Sequence, residues 1–243
     1  MTSRNKMKIE KLQNGIRLLR DDTAFPLSTD AILLADFARV TKGTAVCDLC
    51  AGGGAVGLLL LSRDPALEMT ALELQPEPCA LMARAAAESG VQDRFHILQG
   101  DVRHIRTLLP AGAFRNVVCN PPYYPVGSGF APENEAQEIA RTERCCTPED
   151  LSAAAAWLLP TGGNLWLVHR PERLTDLLCA LRGKGLEPKR LRLVCPQPAA
   201  SPALILLQSV RGGRPGLKWE PPLVLAADDG TPTEEYRRIY RLK

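Results

Sequence analysis

The chain has 243 residues, 45% of them hydrophobic and 23% charged, an ordinary globular mixture that can bury a sizeable core. Its formal net charge of +3 neither demands nor excludes a nucleic-acid partner, so any basic footprint must be local. No run of about 18 apolar residues occurs, and the start, MTSRNKMKIEKLQNG, lacks an apolar segment; neither a membrane span nor a secretory signal is expected.

Residues 1–42 read as a helical and loop extension in which FPLSTD precedes a helix, AILLADFARV. Ser28, Thr29 or Asp30 either caps that helix or belongs to a segment that covers a ligand. A core follows over 43–210, in which strand-like and helix-like runs alternate. The strands are TAVCDL (44–49), LEMTALEL (67–74), RFHILQ (94–99), FRNVVC (114–119) and GNLWLV (163–168). Between them lie the helical runs AVGLLLLSR (55–63), EPCALMARAAAES (77–89), VRHIRTLL (102–109) and EDLSAAAAWLL (149–159). Pro76 and Gly90 punctuate the second helix, and Thr147-Pro148-Glu149-Asp150 opens the fourth with a cap residue, a proline and acids at the positive helix end. Such alternation predicts an α/β fold, a mostly parallel sheet with helices on both faces.

After a further helix, PERLTDLLCALRGKG (171–185), the runs LRLVCP (191–196) and PALILLQSV (202–210) are joined too tightly for a crossover helix, so they should pair antiparallel. Residues 211–243 read as a loop-rich tail closing in a short basic helix, and the whole chain 1–243 as one domain. The eight cysteines mostly sit in apolar runs, and Cys47/Cys50 has no second Cys-x-x-Cys pair. His96, His104 and His169 show no metal spacing, so no metal is expected and the three histidines read as structural. Reduced thiols fit a cytoplasmic location.

The first strand runs into Asp48-Leu49-Cys50-Ala51-Gly52-Gly53-Gly54-Ala55-Val56-Gly57 and then into a helix. Glycines let the backbone turn sharply and approach a ligand, and the helix N-terminus offers free N–H groups. From Gly52 the spacing is also G-x-G-x-x-G, the dinucleotide pattern, with Glu73 placed for ribose hydroxyls and Asp101 for an adenine ring. NAD and S-adenosylmethionine both fit; Asp48 suits the cationic end of the second. A tight turn with solvated acids is the plain alternative.

The fourth strand ends in Asn120-Pro121-Pro122-Tyr123 at the same sheet edge. Proline fixes its own φ and restrains the residue before it, so the Asn120 side chain and the Pro121 carbonyl are held as two hydrogen-bond acceptors. That suits a planar amino group which donates both hydrogens while its nitrogen attacks, and Tyr123 adds a face for a base.

VCDLCAGGGAVG, LEL, GD and NPPY, in this order, resemble the class I S-adenosylmethionine-dependent methyltransferases that modify exocyclic amino groups. FPLSTDAILLADF (25–37), NPPYY, IARTERCCTPEDL (139–151), LVHRPERL (167–174) and RGGRPGL (211–217) are similar to a family of bacterial tRNA adenine-N6 methyltransferases acting beside the anticodon of a valine tRNA. The resemblance implies a Rossmann-like, seven-stranded sheet with an antiparallel final strand. It implies S-adenosylmethionine as cofactor, S-adenosylhomocysteine as its product, and RNA, most of all tRNA, as partner.

Carried over, the cofactor set is Asp30, Asp48, Cys50, Ala51, Gly52, Gly53, Gly54, Gly57, Glu73, Leu74, Asp101, Val102 and Asn120. The catalytic set is Asn120, Pro121, Pro122 and Tyr123. Cys50 departs from the family pattern, which has a glycine there, so its Cβ must be accommodated near the ligand. RNA-binding candidates are Tyr124, Arg141, Arg144, Lys189, Arg190, Arg211, Arg214 and Lys218, with solvated charge as the plain alternative. Methylation of a protein glutamine amide or of guanine in RNA, an NAD(P)-binding oxidoreductase and a non-catalytic RNA-binding module are the rival readings.

Overall fold

The computed structural model describes residues 8–20, 27–123 and 142–240. The parallel strands are β3 (Ala45–Leu49), β4 (Glu68–Glu73), β5 (Phe95–Gln99), β6 (Asn116–Cys119) and β7 (Asn164–His169). Two longer strands complete the expected seven, β8 (Leu186–Cys195) and β9 (Leu204–Arg211). Their order across the sheet is β8-β9-β7-β6-β3-β4-β5. β9 is inserted between β7 and β8 and runs antiparallel to both, as the short connection required.

Two-residue periodicity sorts the strand side chains onto two faces. Val46, Met69, Ala71, Val118, Trp166 and Val168 enter one core, with α1 (Thr29–Phe37), α2 (Ala55–Arg63) and α3 (Pro76–Glu88). Cys47, Leu49, Val117, Cys119, Leu165 and Leu167 enter the other, with α5 (Pro148–Leu158) and α6 (Leu174–Gly183); the one-turn α4 (Ile105–Leu108) lies on the same side. Covering both faces explains why the strands read as continuous apolar runs. Thr147 caps α5 as read, and Asp150 makes the cap a reciprocal box: the Asp150 N–H donates to Thr147 Oγ1 at 3.2 Å, and the Thr147 N–H to Asp150 Oδ2 at 3.1 Å.

Two departures from the sequence reading have local causes. The stretch assigned to a helical or loop extension contains a hairpin, β1 (Lys8–Lys11) paired with β2 (Arg17–Arg20). Asn14 and Gly15 turn it at φ of 50° and 75°, the conformation an Asn-Gly pair favours. Asn14 Nδ2 donates to the Ser62 carbonyl at 2.7 Å and the Arg17 N–H to Ser89 Oγ at 2.9 Å, which seats the hairpin on α2 and α3.

The tail also joins the sheet. β10 (Lys218–Trp219) and β11 (Leu223–Val224) pair parallel with β8, so among the described residues the sheet has nine strands rather than seven. Pro221 and Pro222 lack N–H groups and split this edge into two-residue pieces that carry no legible periodicity. α7 (Glu234–Tyr240) then packs on α1, burying Ile239, while Arg192 holds Glu235 through two bonds of 2.9 and 2.7 Å. No helix among the described residues is long and apolar enough to cross a membrane.

Candidate active site

The carboxyl ends of β3, β4, β5, β6 and β7 share one edge of the sheet, and the residues that follow them form a crevice there. The first wall is the glycine turn. Cys50, Gly52 and Gly54 have φ of 56°, 54° and 78°, so the chain reverses through three left-handed residues before entering α2.

The glycines divide by role. A Cβ at Gly52 or Gly53 would meet nothing within 4 Å among the described residues, so both border open space. A Cβ at Gly54 would lie 2.8 Å from Met82 Cγ, and one at Gly57 3.2 Å from Met69 Cγ. Those two serve the close packing of α2. Cys50 packs its side chain against the second core, which also holds Cys119 and Cys146. Its Cβ is thereby accommodated away from the open space, at the cost of a left-handed backbone that glycine would adopt freely.

Two buried carboxyls back this turn. Asp48 is 1% exposed, and its Oδ2 accepts the Gly57 N–H at 3.1 Å. Burial pushes its pKa up to about 7, the Gly57 bond opposes this, and the neighbouring charge of Glu73 adds to it. Glu73 accepts the Gly52 N–H at 2.8 Å and the Gln75 N–H at 2.9 Å, one on each oxygen. Burial raises its pKa against those bonds. A cation or hydroxyl donor placed here relieves both groups.

Asp101 caps the turn Val102–His104 by accepting the Arg103 N–H at 2.9 Å. The Arg103 guanidinium also forks onto its carboxylate, with Nη2 at 2.5 Å from Oδ2, and holds its pKa low. Val102 is buried in the second core below it, and Leu74 is half-buried just past β4.

The last wall is Asn120 to Tyr123. Pro121 and Pro122 are buried, and the Tyr123 hydroxyl hydrogen-bonds Asn120 Oδ1 and lies 2.9 Å from Asp30 Oδ2. The three candidates at the start of α1 therefore separate. Ser28 is the cap, its Oγ accepting the Ala31 N–H at 3.2 Å. Thr29 Oγ1 lies 2.8 Å from the Tyr240 hydroxyl, and Asp30 serves the Asn-Pro-Pro-Tyr segment rather than the cap.

The sequence reading missed two features. His169, read as structural only, ends β7 with its ring 5.4 Å from that of Tyr123. Glu143 is gripped by Arg173 through bonds of 3.0 and 2.9 Å, tying the chain just ahead of α5 to the end of the sheet. The signal for His169 was its place at the carboxyl end of a buried parallel strand; the pairing of Glu143 and Arg173 has no local signature.

Of the RNA-binding candidates, Tyr124 and Arg141 lie outside the described residues, and Arg144 is exposed on the segment leading to α5. The other five are not brought to this edge. Arg211 pairs below the amino end of β7, its N–H donating to the Gly163 carbonyl at 2.9 Å, and Lys189 and Arg214 are joined on that side by a bond of 3.0 Å. Arg190 and Lys218 pair with each other at the outer strand. Arg190 is a packing residue: its guanidinium stands 4.7 Å from the Phe37 ring and 5.6 Å from the Trp166 ring, with Nε 2.5 Å from Glu220. Among the described residues no group of three or more His, Cys, Asp or Glu is placed to hold a metal ion.

A sheet of this order, an antiparallel β9, a glycine turn backed by two acids and Asn-Pro-Pro-Tyr after β6 define a class I methyltransferase. The chain belongs to the family of the methyltransferase small domain, which it matches over residues 28–178. A tRNA1(Val) (adenine(37)-N6)-methyltransferase of Aeromonas hydrophila is 28% identical over 220 residues, 90% of each chain. One of Parabacteroides distasonis is 26% identical, covering 77% of this chain and 78% of the other.

Among solved structures, a protein described as a predicted O-methyltransferase from Agrobacterium tumefaciens superposes with a TM-score of 0.73 at 23% identity, covering 88% of this chain and 96% of that one. TrmN from Thermus thermophilus gives 0.55 at 22%, covering 74% of this chain and 48% of that one. These two carry the fold. The family match decides between the two cofactor readings of the glycine turn in favour of methyl transfer.

Proposed function

We propose that the protein transfers a methyl group from S-adenosylmethionine to the exocyclic amino group of an adenine in tRNA, in the anticodon loop. The observation that carries this reading is the Asn120-Pro121-Pro122-Tyr123 segment, held at the carboxyl edge beside the glycine turn with its asparagine oxygen accepting a hydrogen bond. The relatives' activity on adenine 37 of a tRNA supports the choice of base and RNA.

The residues fit the cofactor. Gly52 and Gly53 border open space, and the raised carboxyls of Asp48 and Glu73 are stabilised by a cation and by ribose hydroxyls there. Asp101 keeps lone pairs for an adenine amino group beside its bonds to Arg103. When bound, S-adenosylmethionine supplies an electrophilic methyl group.

The amino nitrogen of adenine is a weak nucleophile because its lone pair is delocalised into the ring. Asn120 Oδ1 and the Pro121 carbonyl accept its two hydrogens, which lets the nitrogen pyramidalise and present its lone pair. Positive charge develops on that nitrogen as the C–N bond forms, and two fixed acceptors stabilise it without reorganising. The proton leaves afterwards, so no strong base is required. Asn120 Oδ1 keeps a second lone pair for the base beside the Tyr123 hydroxyl, and a loop nucleotide is cheaper to extrude than a paired one.

Incubation with total tRNA and labelled S-adenosylmethionine, followed by nucleoside mass spectrometry, tests this. N6-methyladenosine is expected; label found only in protein overturns the reading.

A further inference from the structure

We propose that His169 is a positioning residue for methyl transfer, holding the ring of Tyr123 and through it the geometry of Asn120. The inference rests on the reading that Asn120 and Tyr123 receive the target base.

His169 ends β7 and shares the sheet face of Leu165 and Leu167. β7 pairs in register with β6, Leu167 opposite Cys119, so His169 lies alongside the segment that starts at Asn120. Its ring meets that of Tyr123 edge-on, with centroids 5.4 Å apart and planes at 67°. An aromatic edge against an aromatic face is an oriented contact rather than general packing.

The side chain is not accounted for by core filling. His169 is 2% exposed, and its Nδ1 has no hydrogen-bond partner among the described residues. A leucine would fill the space without burying an unpaired nitrogen, but it has no ring edge to set against Tyr123. Burial pulls its pKa down to about 4, so the ring stays uncharged at neutral pH.

Tyr123 is then held at two points, its hydroxyl by Asp30 and its ring by His169. Its hydroxyl also touches Asn120 Oδ1, so a Tyr123 ring free to swing leaves the acceptor oxygen without a fixed orientation. Loss of His169 should therefore act on turnover, not on the cofactor.

The experiment compares the full-length wild type with His169→Ala and His169→Phe in two assays. With labelled S-adenosylmethionine and unmodified tRNA, His169→Ala should lower kcat about tenfold while the Kd for S-adenosylhomocysteine stays within about twofold, and His169→Phe should recover most of the loss. In 3-fluorotyrosine-labelled protein, the 19F resonance assigned to Tyr123 by Tyr123→Phe should move in His169→Ala while those of Tyr236 and Tyr240 do not. A kcat within twofold of wild type, an equal loss in both variants, or an unmoved Tyr123 resonance overturns the proposal. A wild type that labels no tRNA counts against the tRNA reading, and the resonance still decides the role of His169.

Discussion

The hydroxyl of Tyr123 lies 2.9 Å from Oδ2 of Asp30, a contact across 93 residues that joins the first turn of α1 to the Asn-Pro-Pro-Tyr segment. A carboxylate is a strong acceptor for a phenol, and here it restrains the Tyr123 ring. Asp30→Ala should lower kcat by about 10- to 100-fold, the range for losing a hydrogen bond to a charged group, with little change in S-adenosylhomocysteine affinity. Asp30→Asn keeps an acceptor and should fall between. Steady-state kinetics and calorimetry on the three proteins separate these outcomes.

Asn120→Ala removes one of two preorganised acceptors while leaving the glycine turn and both acids in place. Methyl transfer should fall by at least ~100-fold, the scale of one lost oxyanion-type donor or acceptor, with cofactor binding nearly intact. Near wild-type turnover in a tritium-transfer assay would sink the mechanism.

On the proposed cofactor site, Asp48 should make cofactor affinity depend on pH. Its pKa is raised to about 7, so the carboxyl is largely neutral below that value and cannot balance a cation. S-adenosylmethionine affinity should rise between pH 6 and 8, by up to about tenfold per unit at the acid end, and Asp48→Asn should flatten the dependence. The sign for stability is opposite. The folded, cofactor-free protein keeps a proton that the unfolded chain releases near pH 4, so this contribution is full below that range and is lost as pH rises through about 7. Calorimetric titrations and melting curves across this window check both.

Cys50 sits at φ 56°, where a side chain is strained and glycine is not. Cys50→Ala and Cys50→Gly both delete the thiol, but only glycine also removes the strain. The glycine variant should be more stable than the alanine one by about 1 kcal/mol. Equal midpoints in denaturant titrations would show that the turn holds no such strain.

Arg190, basic and near the chain's other cations in sequence, is half of an inward-facing pair with Glu220 and rests on Phe37 and Trp166. Arg190→Ala should cost roughly 2–4 kcal/mol of stability, since it strands Glu220 and empties the ring stack. At a temperature where the variant is folded, the salt dependence of its tRNA binding should match wild type. A slope reduced by about one would restore Arg190 to the RNA-contacting set.

Motifs of contiguous residues were legible in the chain. The glycine turn, the acids after the second and third strands, Asn120 to Tyr123 and the cap at Thr147 each follow from backbone preferences acting within a few residues, and the short link after Cys195 already required β9 to run antiparallel. The Asn14-Gly15 hairpin was equally local and was missed because its flanking strands are only four residues long. The edge pieces β10 and β11 are shorter still, and only the unpaired backbone of β8 gives them a reason to form.

Side-chain partnerships belonged to the tertiary structure. Ser28, Thr29 and Asp30 are chemically interchangeable as caps, and what separates them is that Tyr240 and Tyr123 arrive from the far end of the chain and from another strand. Likewise, a basic cluster is a list of charges until strand direction assigns it to an edge: β9 runs opposite to β7, which carries Arg211 away from the carboxyl ends where Asn120 lies. Sequence by itself determined the seven core strands, the glycine turn and the Asn-Pro-Pro-Tyr segment, because each depends on neighbours in the chain. Only the fold decided which residues touch Tyr123 and which cations are carried away from the site, because those contacts join residues that the sequence leaves far apart.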